Sequence, residues 1–196
     1  MSSKKYILDK LRSFEPTDQL APLPDDGPWI EYENRVSQFE SMIKAVGGGS
    51  VRLGRPGEIN EGLKKLPPYN DAIKVCAIGL EIDKANVKLS DIADPHDLED
   101  VDFAVACGQV GVAENGAIWV PGTFDHRCAI FITQHLALLI RAEDIVNNLH
   151  EAYRKIDLPQ PGYGVFVSGP SKTADIEQSL VIGAHGPRSL TVFIVM

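Results

Sequence analysis

Residues 135–140 read His-Leu-Ala-Leu-Leu-Ile, and this stretch decides the fold class of the chain. Apolar side chains occupy successive positions, so both faces of a strand formed here would be apolar. Such strands are typical of parallel sheets that are covered on both sides. Residues 190–195, Leu-Thr-Val-Phe-Ile-Val, are apolar in the same way. The two segments therefore predict a sheet buried between two other layers.

Strand and helix patterns alternate along the chain. Apolar residues three and four positions apart predict a short helix over 4–12 and longer ones over 29–46 and 142–156, with a small helix near 58–65. Strands are predicted over 51–53, 72–78, 101–107, 117–121, 135–140, 165–168 and 190–195. This alternation predicts a three-layer α/β sandwich with a mostly parallel sheet. A helix and extended arm over 1–28 are expected to precede a single domain over 29–196.

The charge of the chain excludes some partners. The formal net charge is −8, and no run of lysine and arginine exceeds two residues. An acidic chain of this kind has no general attraction for nucleic acid or for anionic membranes. No stretch approaches the roughly 18 apolar residues that a membrane span needs, and no signal-peptide core follows the N-terminus. A cytoplasmic location is therefore expected.

The three cysteines do not form a metal-binding pattern. Cys76, Cys107 and Cys128 are far apart, and no CxxC motif is present. Zinc and iron–sulfur sites use clustered cysteines, so this chain is expected to hold neither on its own, and no metal site or cofactor is predicted. Cys76 and Cys107 lie in apolar runs, which favours buried structural thiols in a reducing compartment.

The first candidate site follows the strand over 165–168, where the sequence reads Gly169-Pro-Ser171-Lys172-Thr173. The beginning of a helix is expected here, and unpaired N–H groups at a helix start bind anions. Ser171, Lys172 and Thr173 would then donate to a ligand at the carboxyl end of the strand. The alternative is a structural one, in which Thr173 caps the helix and the carboxylates Asp175 and Glu177 complement its dipole.

Three further polar segments are candidates. His185 is followed by Gly186, so its backbone can approach a ligand closely; a merely exposed loop histidine is the alternative. Glu114 precedes Asn115-Gly116, the strongest short hairpin signal, and is either a solvated turn residue or a nucleophile or base. Arg127 offers a guanidinium fork that matches a carboxylate or phosphate. His135 is expected to hydrogen-bond a backbone group.

Three of these segments together resemble a known family. They are Gly-Val-Ala-Glu-Asn-Gly at 111–116, Ser-Gly-Pro-Ser-Lys-Thr-Ala-Asp-Ile-Glu at 168–177 and Gly-Ala-His-Gly-Pro at 183–187. In this order and spacing they resemble the lactate-utilisation (LUD) domain family, especially its protein C type. The resemblance implies a fold similar to the glucosamine-phosphate isomerase, ribose-phosphate isomerase and CoA-transferase group. It also implies a role in bacterial L-lactate oxidation to pyruvate with iron–sulfur partner proteins.

One departure from the family pattern suggests a different chemistry. Family members usually have Ala-Glu-Thr-Gly where this chain has Ala113-Glu-Asn-Gly116. The turn here is similar to the glutamate-asparagine-glycine turn of CoA transferases, whose glutamate forms an acyl-CoA thioester, and Glu114 falls on that glutamate. Family members also often carry an arginine after this turn, where Arg127 stands.

Three functional hypotheses follow. The first is an accessory subunit of lactate oxidation, in which Arg127, Ser171, Lys172, Thr173 and His185, with Gly169 and Gly186, form a pocket for a small carboxylate or phosphorylated ligand. The second is an acyl- or CoA-transferring enzyme with Glu114 as nucleophile. The third is a module that only docks an iron–sulfur partner, in which these residues are structural.

Overall fold

A computed structural model describes residues 3–13, 27–156, 162–173 and 181–196. Most of the arm predicted over 15–28 lies outside these residues. So does the helix start predicted after Thr173, together with Asp175 and Glu177. The first described element is helix α1, Ser3–Arg12, in which no residue is buried.

The described residues contain nine strands and six α-helices. In chain order the strands are β1 (Gly49–Leu53), β2 (Val75–Ile78), β3 (Phe103–Cys107), β4 (Val110–Val112), β5 (Ala117–Pro121), β6 (His135–Arg141), β7 (Ile145–Val146), β8 (Gly164–Val167) and β9 (Ser189–Val195). After α1 the helices are α2 (Arg35–Ala45), α3 (Ile59–Leu63), α4 (Pro67–Asp71), α5 (Ala129–Ile132) and α6 (Leu149–Lys155). Within this part of the chain, no helix is long and apolar enough to cross a bilayer.

Five strands form a fully parallel sheet in the order β1-β9-β6-β3-β2. The central strand, β6, pairs with β3 on one side and β9 on the other. At its amino end His135 lies opposite Phe103 of β3 and Ser189 of β9. The apolar stretch at 135–140 is thus the middle of the sheet, and the predicted α/β class with a mostly parallel sheet is confirmed.

Side chains of β6 alternate between two buried clusters. Leu136 and Leu138 pack in one cluster with side chains of α2, α5 and β5. Ala137 packs in the other with side chains of α3 and α4. Both faces of the parallel sheet are therefore covered, as its uninterrupted apolar sequence requires.

A second sheet, which the sequence did not indicate, lies beside the first. Its order is β7-β4-β5-β8, with β4–β5 and β5–β8 antiparallel and β4–β7 parallel. Ile118 and Val120 of β5 pack on the parallel sheet. Ala117 and Trp119 face the other way and pack with Ala152 of α6. Through its period-two alternation β5 thus contributes to two buried clusters, one shared with the parallel sheet and one with α6.

The helix predicted over 29–46 begins later than expected, at Arg35. Asn34 caps it, since the Asn34 side chain accepts a hydrogen bond from the backbone N–H of Ser37 at 2.9 Å. The preceding Trp29 is not helical and stacks on His150 with ring centroids 3.6 Å apart. The asparagine cap, rather than the apolar spacing, determines where the helix starts.

The helix predicted over 142–156 is also largely replaced by other structure. Ile145 and Val146 form β7 and pair with β4. Ala142–Asp144 is a 3₁₀ turn, and the α-helix is limited to Leu149–Lys155. The Asn148 side chain caps this helix by accepting from the N–H of Glu151. Pairing with a distant strand therefore overrides the local helical spacing, which tertiary contacts commonly do.

Candidate functional site

The chain turns sharply where β8 ends, at residues 168–173, which we call the corner. Gly169 has φ of +75°, a left-handed backbone that favours glycine. A Cβ at this position would come within 2.6 Å of the carbonyl oxygen of Val46. Glycine is therefore required here by both conformation and space, because the corner packs directly against the end of α2.

Backbone hydrogen bonds join the corner to the loop at 183–188. The N–H of Ser171 donates to the carbonyl of Pro187 at 2.8 Å, and the N–H of Gly183 donates to the carbonyl of Ser171 at 2.9 Å. Thr173 forms part of the same ladder, because its hydroxyl oxygen accepts from the N–H of Val181 at 3.0 Å. The Thr173 side chain is thus hydrogen-bonded to the segment that begins this loop.

The corner and this loop enclose a cavity of about 270 Å³, which we call the Lys172 cavity. Its apolar side is formed by Ile130, Phe131, Leu136 and Phe166, and the rest by residues 167–172 and 185–187. Five predicted site residues therefore line one cavity: Gly169, Ser171, Lys172, His185 and Gly186. The apolar lining residues were not predicted from the sequence, because an apolar run does not show which of its side chains border a cavity.

Three polar side chains of the Lys172 cavity are unpaired. In the described structure, neither the Lys172 ammonium, the Ser171 hydroxyl nor the His185 ring has a hydrogen-bond or ion-pair partner. Gly186 makes room for Ser171, because a Cβ there would lie 3.0 Å from the Ser171 Cβ. Ammonium, hydroxyl and imidazole groups are donors that suit carboxylate and phosphate oxygens.

The Lys172 side chain lies close to the carboxyl end of α2. The Lys172 Nζ atom would lie 3.7 Å from a Cβ at Gly47, which has φ of +88° and follows the last turn of the helix. A cation is favoured at a helix carboxyl end. The Lys172 side chain thus lies beside the carboxyl end of α2, next to the cavity.

Glu114 is not among the residues that line the Lys172 cavity. It lies in the β4–β5 hairpin, where one carboxylate oxygen accepts a hydrogen bond from the N–H of Leu149, the first residue of α6, at 3.1 Å. The adjacent Gly116 has φ of +68° and packs against α2. The turn is the predicted hairpin, and the Glu114 carboxylate complements the start of α6.

Arg127 is likewise not among the residues that line the Lys172 cavity. Its guanidinium carbon is 4.7 Å from the centre of the Tyr163 ring, a cation–π contact. The neighbouring His126 has φ of +51°, and its Nε2 atom lies 2.8 Å from the carbonyl oxygen of Ile92. The side chains of His126 and Arg127 therefore both have contacts within the protein.

The corner lies at a different edge of the molecule from the one expected. It follows the carboxyl end of β8, but β8 belongs to the second sheet. In the parallel sheet, Leu136 and Pro187 place the Lys172 cavity at the amino ends of β6 and β9. The preference of ligands for the carboxyl edge of parallel strands therefore does not support this site.

A larger cavity of about 650 Å³ does lie at the carboxyl ends of β1, β2 and β6. Glu81, Asp83 and Asn60 are its polar residues, and Leu80 and Leu139 are among its apolar ones. Two carboxylates repel an anion, so this cavity does not suit the ligand class that the sequence predicted. None of its residues was predicted as a site residue.

The cysteines and histidines of the described residues do not assemble a metal site. No group of three or more histidine, cysteine, aspartate or glutamate side chains there could hold a metal ion. Cys76 is buried, and burial raises the pKa of its thiol to about 11, so it is a structural thiol as predicted. Cys107 is only half-buried, with its thiol pKa raised for the same reason.

His135 makes a contact other than the one predicted. Its Nδ1 atom lies 2.8 Å from the hydroxyl oxygen of Ser189, so its partner is a side chain and not a backbone group. The strand pairing explains the difference, because it places His135 directly opposite Ser189 at the edge of the sheet.

Several curated proteins are similar to the chain. An uncharacterised protein of Neisseria meningitidis is 30% identical over 172 residues, which span 86% of this chain and 70% of that protein. Lactate utilization protein C of Deinococcus radiodurans is 25% identical over 189 residues, 91% of this chain and 87% of that protein. Lactate utilization protein C of Oceanobacillus iheyensis is 28% identical over 104 residues, and the match spans 45% of that protein's length.

A crystal structure of a DUF162 family protein from Deinococcus radiodurans has the same fold. The TM-score is 0.66 at 17% sequence identity, with 86% of this chain and all of that chain covered. The LUD domain family model matches residues 47–195, which include both sheets, the hairpin and the corner. The chain belongs to the LUD domain family.

Proposed function

We propose that this chain takes part in bacterial lactate utilisation and that its Lys172 cavity binds a small carboxylate or phosphorylated anion. The family membership and the relatives named lactate utilization protein C support the first part. The second part depends on one observation: the side chains of Ser171, Lys172 and His185 line a partly apolar cavity and have no partner among the residues that the structure describes.

The chemistry of the cavity favours a small anion. Lys172 supplies a positive charge, and Ser171 and His185, which line the same cavity, supply hydrogen-bond donors. Phe131, Leu136 and Phe166 would contact the apolar part of the ligand, such as the methyl group of lactate or pyruvate. The volume of about 270 Å³ accommodates a molecule of this size with water.

Redox chemistry would belong to partner proteins in this proposal. Lactate oxidation to pyruvate releases two electrons and two protons, and an electron acceptor is required. The three cysteines of this chain are well separated in sequence, and Cys76 is buried in the core. The chain would therefore act as an accessory subunit beside iron–sulfur proteins that accept the electrons.

Growth on L-lactate tests the proposal. A strain that carries Lys172→Met in place of the wild-type gene is expected to grow slowly on L-lactate and normally on glucose. Lys88→Met is the matched control, because Lys88 is another exposed lysine, remote from the Lys172 cavity. Equal growth of the two variants at equal protein levels would contradict the role of the cavity.

The two rival hypotheses predict different results for variants of other residues. A docking module would tolerate Ser171→Ala and His185→Ala without loss of lactate oxidation. An acyl-transferring enzyme would form a glutamyl thioester on Glu114 that hydroxylamine traps, and Glu114→Ala would abolish the adduct. The Glu114 carboxylate is already engaged with the N–H of Leu149, which favours the anion-binding proposal.

A further inference from the structure

A second polar cleft lies at the amino ends of β3 and β6, on the other face of the parallel sheet. It has a volume of about 350 Å³, and we call it the His135 cleft. It is lined by Pro67, Pro68, Asp71, Ala72, Asp102, Gln134, His135 and Arg188. Leu136 faces the Lys172 cavity and its neighbour His135 faces this cleft, because successive residues of a strand point to opposite faces.

Arg188 supplies the positive charge of the His135 cleft. Its guanidinium makes no ion pair or side-chain hydrogen bond in the part of the chain that the structure describes. Its stem is held against Gly183, where an added Cβ would lie 2.4 Å from the Arg188 Cγ and where φ is +77°. An unpaired guanidinium on a positioned stem is the group that best matches a carboxylate.

His135 lines the same cleft as Arg188. Burial, and then the charge of Arg188, lowers the pKa of its imidazole, while Asp102 opposes the shift. One ring nitrogen is engaged with the Ser189 hydroxyl at 2.8 Å. The pair can both accept and donate a hydrogen bond, because a neutral imidazole and a hydroxyl each have both capacities.

Two carboxylates also face the cleft. One oxygen of Asp102 accepts from the N–H groups of Ile73 at 2.7 Å and Lys74 at 2.9 Å, and these bonds hold the pKa of Asp102 below its usual range. The other, Asp71, is exposed. A ligand with only a negative charge would be attracted by Arg188 and repelled by both acids. A ligand that carries both a carboxylate and a hydrogen-bond donor can interact with Arg188 through the carboxylate and with the aspartates through the donor.

We propose that the His135 cleft binds a small carboxylic acid that also carries a hydroxyl or ammonium donor. Arg188 binds the carboxylate, and the donor group of the ligand points toward His135 and the aspartates. The class includes 2-hydroxy acids and 2-amino acids. The cleft is separate from the Lys172 cavity, so this inference does not depend on the proposed function, although the loop at 183–188 borders both.

The test follows the imidazole nitrogen signals of His135 by NMR in the full chain, labelled with ¹⁵N, during titration with three probes. L-lactate carries a hydroxyl donor, L-alanine an ammonium donor, and propionate neither. We expect L-lactate or L-alanine to shift the His135 signals at a concentration at least about fivefold lower than propionate does, because an unmatched polar group in the cleft weakens binding. Whichever of the two binds more tightly identifies the donor.

Variants assign the effect to the cleft. Arg188→Met is expected to raise the half-saturating concentration about tenfold or more, and Arg188→Lys, which keeps the charge but not the fork, by less. Lys88→Met is the matched control, because Lys88 is an exposed residue that lines neither cavity, and it should leave the His135 titration unchanged. Unchanged thermal unfolding confirms that each variant is folded.

Three results would overturn the inference: no His135 shift with any probe, equal titrations for wild type and Arg188→Met, or propionate binding as tightly as the other two. Failure of the proposed function would appear elsewhere, as amide signals of the corner that do not respond to L-lactate.

Discussion

The hairpin turn at 114–116 and the corner at 168–173 form an instructive comparison. Both are polar turns that adjoin an apolar strand, and both contain a glycine with positive φ that packs against α2. In the hairpin, Glu114 accepts from a backbone N–H and the Asn115 side chain accepts from the N–H of Ala117. In the corner, the Lys172 and Ser171 side chains remain unpaired among the described residues.

The difference teaches how a structural turn is distinguished from a candidate site. A polar side chain that is hydrogen-bonded within the protein contributes to stability. A polar side chain without such a partner beside a cavity is available to bind a ligand. The residue types of the two turns do not reveal this, since serine, lysine, asparagine and glutamate all serve either role. Only the hydrogen-bond partners separate the turns, and each of the following predictions tests that separation.

The largest effect is expected from replacing the positive-φ glycine of each turn, Gly169 in the corner and Gly116 in the hairpin. Gly169→Ala should lower the free energy of unfolding by about 2–3 kcal/mol, because it combines a left-handed residue with a Cβ 2.6 Å from a carbonyl oxygen. Gly116→Ala should cost slightly less, about 1–2 kcal/mol, since its nearest contact is 3.0 Å. Urea denaturation measures both.

The control for these variants is Gly57→Ala, because Gly57 is exposed and a Cβ there meets nothing within 4 Å. It should change the free energy of unfolding by less than about 0.5 kcal/mol. A stability of Gly169→Ala equal to that of this control would show that the corner is not held against α2 as described.

Lys172→Met should separate binding from stability. We expect the half-saturating L-lactate concentration, followed by the amide shifts of residues 168–173, to rise about tenfold or more, because a charge-assisted hydrogen bond is lost. The free energy of unfolding should change by less than about 0.5 kcal/mol, since Lys172 is exposed and unpaired in the described residues. Lys88→Met should bind as wild type does.

Glu114→Ala should show the opposite pattern. Its loss leaves the N–H of Leu149 without this acceptor, so we expect the free energy of unfolding to fall by about 0.5–1 kcal/mol. The L-lactate titration of the corner should be unchanged. A variant of wild-type stability that no longer binds would place Glu114 with the ligand and would reverse the comparison.

The smallest effect is expected where the two turns meet. The Ser168 hydroxyl donates to the carbonyl oxygen of Asn115 at 3.0 Å and is exposed. Ser168→Ala should therefore lower the free energy of unfolding by only about 0.5 kcal/mol, with binding unchanged within about twofold. A large loss of binding would instead mean that the hairpin positions the corner through this bond.

Much of the fold could be predicted from the sequence, because the strands are marked by their own apolar runs. The segments at 135–140 and 190–195 form the central strand of the parallel sheet and one of its two neighbours. The second sheet could not be predicted in the same way. Its strand β7 has two residues and forms only because Ile145 and Val146 meet Gly111 and Val112, which are far away in sequence.

The candidate site could be predicted only in part. The polar segments around Ser171 and His185 were predicted to contribute to one pocket, and both line the same cavity. Glu114 contacts Leu149, Arg127 contacts Tyr163 and Thr173 contacts Val181. No local sequence pattern connects the two members of any pair, so these contacts could not be predicted. The apolar residues of the cavity and the Arg188–His135 arrangement depend on strand register in the same way.

Chemical footprinting of Lys172 tests the central claim most directly. The rate at which acetic anhydride acetylates Lys172 would be measured by peptide mass spectrometry with and without L-lactate or pyruvate, with Lys88 as the internal reference and sodium chloride as the ionic-strength control. We expect one of the two acids to slow the acetylation of Lys172 and to leave that of Lys88 unaffected. Equal rates at Lys172 in all conditions, at acid concentrations that support growth, would contradict it.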